Sequence, residues 1–417
     1  MVKFDPRTTI TDAATWESLP VWERVPESDP GTVCGRGLLV WSAHPDDETL
    51  GVGGLIAEAH QRSLPVHIVA ATGDEDRVRE LHAALSRTHP EATVSSLGLP
   101  DGKLHEHQSV LADSIASILD AYPDRVILTP WSEDRHGDHR TLGQLVRSMA
   151  HDRKRRVFSY PVWLWQWGEP GDVPWRDLIA VPLSEYGSRR KAEALVEYAS
   201  QLKGQDPVLS DKFLQHSHSP REVLIVEPTP ADLHFEHLHA TRADPWNVEN
   251  SWYERRKRRL LVATLPRDRY RSILELGCST GVTTRALAKR ADVLLAIDGS
   301  FSAVSAARDR TRFLSNTRVE RMRLPLQWPE GHYDLVVVSE LGYYLDSVDW
   351  QALCTCMLAS LEPDGEVLAC HWNGMAPDFL QSGERAHQLL AEAVGHAADI
   401  RHHDDEFVIE LFRKKAA

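Results

Sequence analysis

Two short runs of histidine and carboxylate stand out in this 417-residue chain: His44-Pro45-Asp46-Asp47-Glu48 and His136-Gly137-Asp138-His139. Neutral imidazole and ionised carboxylate are ligands for zinc, and a catalytic zinc keeps three protein ligands and one open position. His44, Asp47 and His139 supply two histidines and one carboxylate, with a position left for water. The same set suits iron(II), so the ligands alone do not choose the metal. A hydrolase needs one more carboxylate nearby, free to take a proton. A third run, Glu275-Leu276-Gly277-Cys278-Ser279-Thr280-Gly281, is a turn whose glycines let backbone approach a ligand closely. Asp298 follows about 20 positions later, the distance at which an acidic residue binds ribose hydroxyls. The loop does not match the G-x-G-x-x-G of a dinucleotide site.

These runs can meet only if strands carry them to one edge of a sheet. Residues 38–43 read as a buried strand ending at the first run, and 125–129 as a strand ending just before the second. Ligands and catalytic groups collect at the carboxyl ends of such strands. Between them, 50–61 reads as helix, 66–71 as strand, 76–86 as helix, 93–97 as strand and 109–121 as helix. This alternation implies a mostly parallel sheet with right-handed crossovers. It continues less regularly to 223–226, and the prolines of Glu227-Pro228-Thr229-Pro230-Ala231 then read as a boundary. After a helix at about 252–265, a second alternation places strands at 272–276, 293–297, 333–338 and 366–370. The expected fold class is α/β in two unlike domains, 1–228 and 229–417, each a mostly parallel sheet flanked by helices.

Hydrophobic residues make up 42% of the chain and charged residues 26%, as in a globular protein. The net charge of -14 argues against non-specific nucleic-acid or anionic-membrane partners. Arg255-Arg256-Lys257-Arg258-Arg259 is a local basic cluster within a helix and reads as a solvated face. Five cysteines, an odd number in a long chain, argue against a disulfide scaffold, and Cys354 and Cys356 read as positions of one helix. Trp16 and Trp22 are expected to anchor the polar N-terminal segment. No apolar run reaches the ~18–20 residues of a membrane span. The N-terminus lacks the apolar region of a signal peptide, so a cytoplasmic location is expected. The oligomeric state is not legible.

The first two runs together resemble the PIG-L/LmbE family of zinc-dependent de-N-acetylases. Thr72-Gly73-Asp74, Arg77 with Glu80, Lys191 with Ala194, and Tyr198-Ala199-Ser200-Gln201 extend the resemblance over about residues 36–226. It implies an LmbE-like, Rossmann-type domain that hydrolyses an amide. By that resemblance His44, Asp47 and His139 hold the zinc, Asp46 is the general base, and His136 faces the developing oxyanion as an imidazolium. Asp138 either orients a flanking histidine or caps the next helix; Arg77 either contacts substrate or pairs with Glu80. Gly137 stands where many members carry Pro. His216 and His218 form a further pair near the end of this domain.

The third run resembles the loop of class I S-adenosylmethionine-dependent methyltransferases, with Ser279 in place of the middle glycine. Asp244-Pro245-Trp246-Asn247, Ser251-Trp252-Tyr253-Glu254, Leu295-Ala296-Ile297-Asp298 and residues 334–340 narrow the resemblance to the NodS group, which N-methylates de-acetylated amino sugars. S-adenosylmethionine is then the implied cofactor, with Glu275, Gly277 and Gly281 lining its methionine side and Asp298 its ribose. Ser339, Glu340 and Tyr343 lie where the acceptor enters, and Glu340, Tyr343 and His371 are candidate bases for an ammonium acceptor. Tyr344 and Trp372 read as packing aromatics.

The two chemistries fit one substrate in one order. An amide nitrogen has its lone pair delocalised into the carbonyl and is a poor methyl acceptor; hydrolysis frees an amine that can be methylated. The expected protein is a bifunctional enzyme that removes an N-acetyl group from a small, N-acetylglucosamine-like conjugate and then N-methylates the amine. The alternatives are an O-methyltransferase, a methyltransferase acting on a different molecule, or a second domain that binds the cofactor without turnover.

Overall fold

Strand order decides where the chemistry-bearing loops emerge. In the computed structural model, which describes residues 11–202 and 208–414, the chain forms two compact units, one ending at Thr229 and the other starting at Pro230. The first contains β1 (Leu38–Ser42), β2 (Val66–Thr72), β3 (Thr93–Leu99), β4 (Val126–Pro130), β5 (Val157–Tyr160), β6 (Leu178–Pro182) and β7 (Arg221–Val226). Their order across the sheet is β3-β2-β1-β4-β5-β7-β6. β1 runs parallel to β2 and β4, and β4 to β5, whereas β7 is antiparallel to both its neighbours. All five residues of β1 are buried, because a central parallel strand is covered on both faces and has no reason to alternate.

After β1 the chain steps outward to β2 and β3, then returns to the other side of β1 as β4. The loops following β1 and β4 therefore diverge and leave a crevice at their carboxyl ends. Helix α1 (Asp47–Gln61) starts at one wall and a later helix starts at the other. α1 lies close enough to β5 that a Cβ on Gly51 would overlap the Tyr160 ring. α2 (Glu75–Thr88) follows β2, and α3 (Gly137–Asp152) follows β4. The N-terminal segment is pinned as expected: the Trp16 indole N–H donates to Trp165 O at 2.8 Å and that of Trp22 to Trp16 O at 2.6 Å.

The second unit contains β8 (Tyr270–Leu276), β9 (Ala291–Asp298), β10 (Thr317–Arg321), β11 (Tyr333–Ser339), β12 (Leu361–Trp372), β13 (Ile400–His403) and β14 (Phe407–Arg413). Their order, β10-β9-β8-β11-β12-β14-β13, repeats that of the first sheet, and β14 is again antiparallel to its neighbours. The reversal now falls between β8 and β11. Helices α4 (Pro230–Thr241) and α5 (Trp252–Thr264) precede the sheet, α6 (Val282–Leu287) follows β8, α7 (Ser347–Ala359) follows β11, and α8 (Gly383–Val394) precedes β13. Cys354 and Cys356 both lie on α7, and all five cysteines are free. Among the described residues no helix is long and apolar enough to cross a membrane. The α/β class with two mostly parallel sheets holds. One expectation fails: the basic cluster of α5 is not all solvated face, since Lys257 is only 4% exposed.

Candidate active sites

The turn after β1 brings Asp46 to the N-cap of α1 with φ +136°. Such a backbone conformation costs a residue with a side chain on the order of 1–3 kcal/mol. Contacts on three sides hold it. Arg77 Nη2, from α2, donates to Asp46 Oδ2 at 2.9 Å and to Pro45 O at 2.5 Å. The Asp46 backbone N–H donates to Glu48 Oε2 at 3.2 Å. Glu48 itself accepts from the Tyr198 hydroxyl at 2.5 Å and from Thr49 at 2.7 Å. Arg77 thus pairs with Asp46 and not with Glu80, whose carboxylate accepts instead from the backbone and hydroxyl of Ser200. Burial pushes the Asp46 carboxyl up to about 8; Arg77 works against this and Asp47 adds to it.

The turn before α3 lies across the crevice. His44, His136 and His139 each offer a ring nitrogen within 4.8 Å of the other two. Asp47 sits between two of these rings, with Oδ1 3.2 Å from His139 Nε2 and Oδ2 3.4 Å from His44 Nδ1. Two ligands of one tetrahedral zinc, each about 2.0–2.2 Å from the ion, lie roughly 3.4 Å apart. The far nitrogen of each ring is held by a carboxylate, the usual arrangement behind a metal-binding histidine. His139 Nδ1 lies 2.9 Å from Asp134 Oδ2, and His44 Nε2 lies 3.2 Å from Asp138 Oδ2 and 3.0 Å from Asp101 Oδ1. Asp134 also accepts from the backbone N–H groups of Val162, Trp163 and Leu164. Among the described residues the buried His139 Nε2 makes no hydrogen bond, though Asp47 Oδ1 stands 3.2 Å away. A buried ring nitrogen that makes no hydrogen bond yet stands at ligand spacing from a carboxylate, with two further imidazoles alongside, is what a divalent cation would complete, so the residues fit one.

Asp138 backs His44 rather than capping α3. It also accepts from the N–H groups of Gly102 at 2.7 Å and Leu104 at 3.1 Å. The N-cap of α3 is His136, whose Nδ1 accepts from the Asp138 backbone N–H at 3.3 Å. A neutral His136 ring must therefore carry its hydrogen on Nε2. Burial, with the charges of His139 and His44, lowers His136 to about 4. At neutral pH it is an imidazole donor rather than the expected imidazolium. His139 shows the opposite balance: burial opposes its charge, but Asp47 and Asp134 raise it to about 9. His216 lines a different cavity, with Trp16, Trp22 and Phe213, and His218 is exposed; neither joins this group. Gly137 has nothing within 4 Å of its Cβ position, so the loop accommodates other residues there.

In the second unit β8 delivers Glu275 and the loop that follows it. Gly277, Ser279 and Gly281 all have positive φ, at +73°, +49° and +78°. Ser279 thus occupies a conformation that suits glycine. Its backbone N–H donates to Asp298 Oδ2 at 2.9 Å, and Ser300 N–H donates to Asp298 Oδ1 at 2.9 Å. Glu275 is 3% exposed, and among the described residues its Oε2 has no hydrogen-bond partner. Burial pushes it up to about 8. A cationic group beside it would restore its charge and its pairing, which fits the ammonium of a methionine moiety.

At the end of β11, Ser339 leads into Glu340, which has φ +58°. The Tyr343 hydroxyl donates to Glu340 Oε2 at 2.5 Å, and the Tyr343 ring stacks on Phe379 at 3.9 Å. Tyr344 packs edge-on against Phe235 and Phe379, as its aromatic character suggests, and Trp372 is 37% exposed. His371 is not placed to act as a base. The Gly342 N–H donates to His371 Nε2 at 2.9 Å. That single donor sets the hydrogen on Nδ1, which faces His387 Nε2 at 3.0 Å; the hydrogen of His387 then points at Glu410 Oε2, 2.7 Å away. Both nitrogens of His371 are committed, and the ring is fully buried.

Residues 39–150 match the family description GlcNAc-PI de-N-acetylase, PIG-L, and residues 231–380 match Nodulation protein S, NodS. The chain joins a PIG-L domain to a NodS-like domain. Nodulation protein S of Rhizobium tropici is 30% identical over 138 residues, covering 30% of this chain and 53% of that protein. The Bradyrhizobium diazoefficiens protein of the same name is 30% identical over 123 residues, 29% of this chain and 59% of its own. The chain thus spans only a little over half the length of these relatives. A crystal structure of the N-methyltransferase NodS from Bradyrhizobium japonicum in complex with S-adenosyl-l-homocysteine is 23% identical, with a TM-score of 0.39, covering 44% of this chain and 97% of that one.

Several residues around these sites escaped sequence reasoning. In the PIG-L domain Asp134 lies only five positions before His139, and a carboxylate so close to a metal-type histidine was a usable signal. Asp101 gave none. In the NodS-like domain Glu236 on α4 reaches across to the loop after β9, accepting from Ser300 Oγ at 2.8 Å and Ser302 Oγ at 2.6 Å.

Proposed function

We propose that the PIG-L domain hydrolyses the N-acetyl group of a small amino-sugar conjugate and that the NodS-like domain then methylates the freed amine. The observation that supports the first step is His139 Nε2, buried, making no hydrogen bond among the described residues and standing 3.2 Å from Asp47 Oδ1, the spacing of two ligands on one ion. His44, Asp47 and His139 would hold a divalent cation, zinc for preference. Once bound, the cation supplies Lewis acidity toward the amide carbonyl and acidifies water. Asp46 takes the proton of the attacking water, and Arg77 fixes the carboxylate for that transfer. His136 gives one Nε2–H to the oxygen on which charge develops, a contact worth a few kcal/mol when it strengthens in the transition state. The proton held by Asp46 then goes to the departing nitrogen, so the amine leaves neutral.

For the second step, Glu275, Gly277, Gly281 and Asp298 would hold S-adenosylmethionine, which supplies an electrophilic methyl. Ser339, Glu340 and Tyr343 bound the acceptor side. Glu340 takes a proton from the acceptor ammonium; the amine lone pair forms the N–C bond as the S–C bond breaks. Placing nitrogen in line with the methyl carries most of the rate. Glu275→Gln should weaken S-adenosylmethionine binding by about 10–100-fold, the worth of a hydrogen bond to a charged group, read by calorimetry.

The reading is tested by incubating the full chain with zinc, S-adenosylmethionine and a panel of N-acetylhexosamine glycosides, and following mass. Loss of acetyl followed by gain of methyl on the same molecule is expected. Acetyl loss without methyl gain across the whole panel would sink the coupled reaction.

A further inference from the structure

Lys257 is the one member of the basic run on α5 that turns inward, and the company it keeps is informative. Its Nζ lies 2.9 Å from Glu254 Oε1, 3.5 Å from Glu340 Oε1 and 4.8 Å from the centre of the Tyr253 ring. Among the described residues Glu340 Oε1 has no polar contact closer than this 3.5 Å ion pair with Lys257, and the buried Tyr253 hydroxyl has no hydrogen-bond partner. The remaining oxygen of Glu340 is taken by Tyr343, and its backbone N–H by Cys370 O at 2.9 Å. Leu341, the next residue, stands 3.7 Å from where a Cβ on Gly277 would be, so this cluster adjoins the glycine turn. Two carboxylates, Glu254 and Glu340, share one lysine here. The Lys257 end of this group is shut off from solvent while the Glu340 side chain is 32% exposed, so the lysine charge is screened little where the carboxylate can still be reached.

We infer that Lys257, anchored by Glu254, is a positioning residue that holds the Glu340 carboxylate ready to accept the proton of the methyl acceptor. The inference rests on the reading of Glu340 as proton acceptor in methyl transfer. In that step the ammonium N–H bond breaks and its proton passes to Glu340, the nitrogen pair forms the new N–C bond, and the S–C pair stays on sulfur. Burial raises Glu340, Lys257 lowers it, and Glu254 raises it. The other groups around it, Tyr253, Tyr343, Tyr344 and Cys370, all have their own ionisation pushed upward and stay neutral. Lys257 and Glu254 are therefore the two charges that set the state of Glu340, with opposite signs.

That opposition supplies the test. Methyl transfer from S-adenosylmethionine to methyl β-D-glucosaminide is measured with the full chain from pH 5.5 to 9.5. A base must be deprotonated, so activity falls below its pKa. Lys257→Met should move the acidic limb of kcat/KM upward by about one pH unit, a tenfold loss at a fixed pH on that limb. Glu254→Gln should move it downward. Affinity for S-adenosylmethionine, by calorimetry, should stay within about twofold in both. The same displacements are expected in the pH dependence of glucosaminide binding to the chain loaded with S-adenosylhomocysteine, where no methyl moves. A uniform loss at every pH, or shifts of the same sign in both variants, would overturn the inference. Failure of the parent reading looks different: the unmodified chain binds S-adenosylmethionine and methylates no glucosaminide at any pH, and the inference falls with it.

Discussion

Asp46→Asn is expected to lower the rate of acetate release by about 10²–10⁴-fold, the usual contribution of a positioned general base. Asparagine suits this position for two reasons. It tolerates positive φ better than most residues, and its amide oxygen can still accept from Arg77 where Oδ2 now does. The variant should keep its fold and its metal, because Asp46 is not among the proposed ligands. Methylation of an amine supplied ready-made should be unchanged. The measurement is paired: acetate by coupled assay, and methyl incorporation by mass, on one preparation. If both activities fall together in a folded protein, Asp46 has the wrong role.

His139→Ala is expected to abolish acetate release and to reduce bound metal to near zero, by elemental analysis of protein purified without added metal. It should also cost stability, because Asp47 and Asp134 both lose the ring that stands between them. A buried charge stripped of its partner costs about 3–5 kcal/mol. His136→Ala separates the two roles, since it should slow the reaction while leaving the metal in place. Stoichiometric metal retained in His139→Ala would overturn the ligand set and favour the three-imidazole group that includes His136. The same analysis of the unmodified protein decides between zinc and iron(II).

Much of the architecture was legible because it is local. A strand that ends in His44-Pro45-Asp46-Asp47 shows its apolar run and its site in one stretch, and so does β8 with Glu275 and Gly277. What was not legible is contact between distant parts. Arg77 and Asp46 meet because β1 and β2 are neighbours, and no spacing along the chain announces that. His371 misled for a related reason. A histidine at the end of a buried strand reads as a site residue until His387 and Glu410, on two further elements, are seen to occupy it. Lys257 was assigned to solvent because four arginines surround it in sequence; only the partners inside the fold distinguish it. The shared strand order of the two sheets left no trace in sequence at all, since it is set by connections and not by repeated residues.

That order has a consequence for how the protein is made. β7 is inserted between β5 and β6, so β6 leaves the ribosome before the strand it pairs with. Until residues 221–226 emerge, the first sheet ends at β5, and among the described residues the apolar segment Leu178–Pro182 is left with the bridge to Glu27 along its backbone. Unpaired strand edges of this kind invite association with other chains. A translational pause or truncation between β6 and β7 would strand the nascent PIG-L domain in that state, whereas one placed after β7 would release a sheet in which β6 is paired along one side.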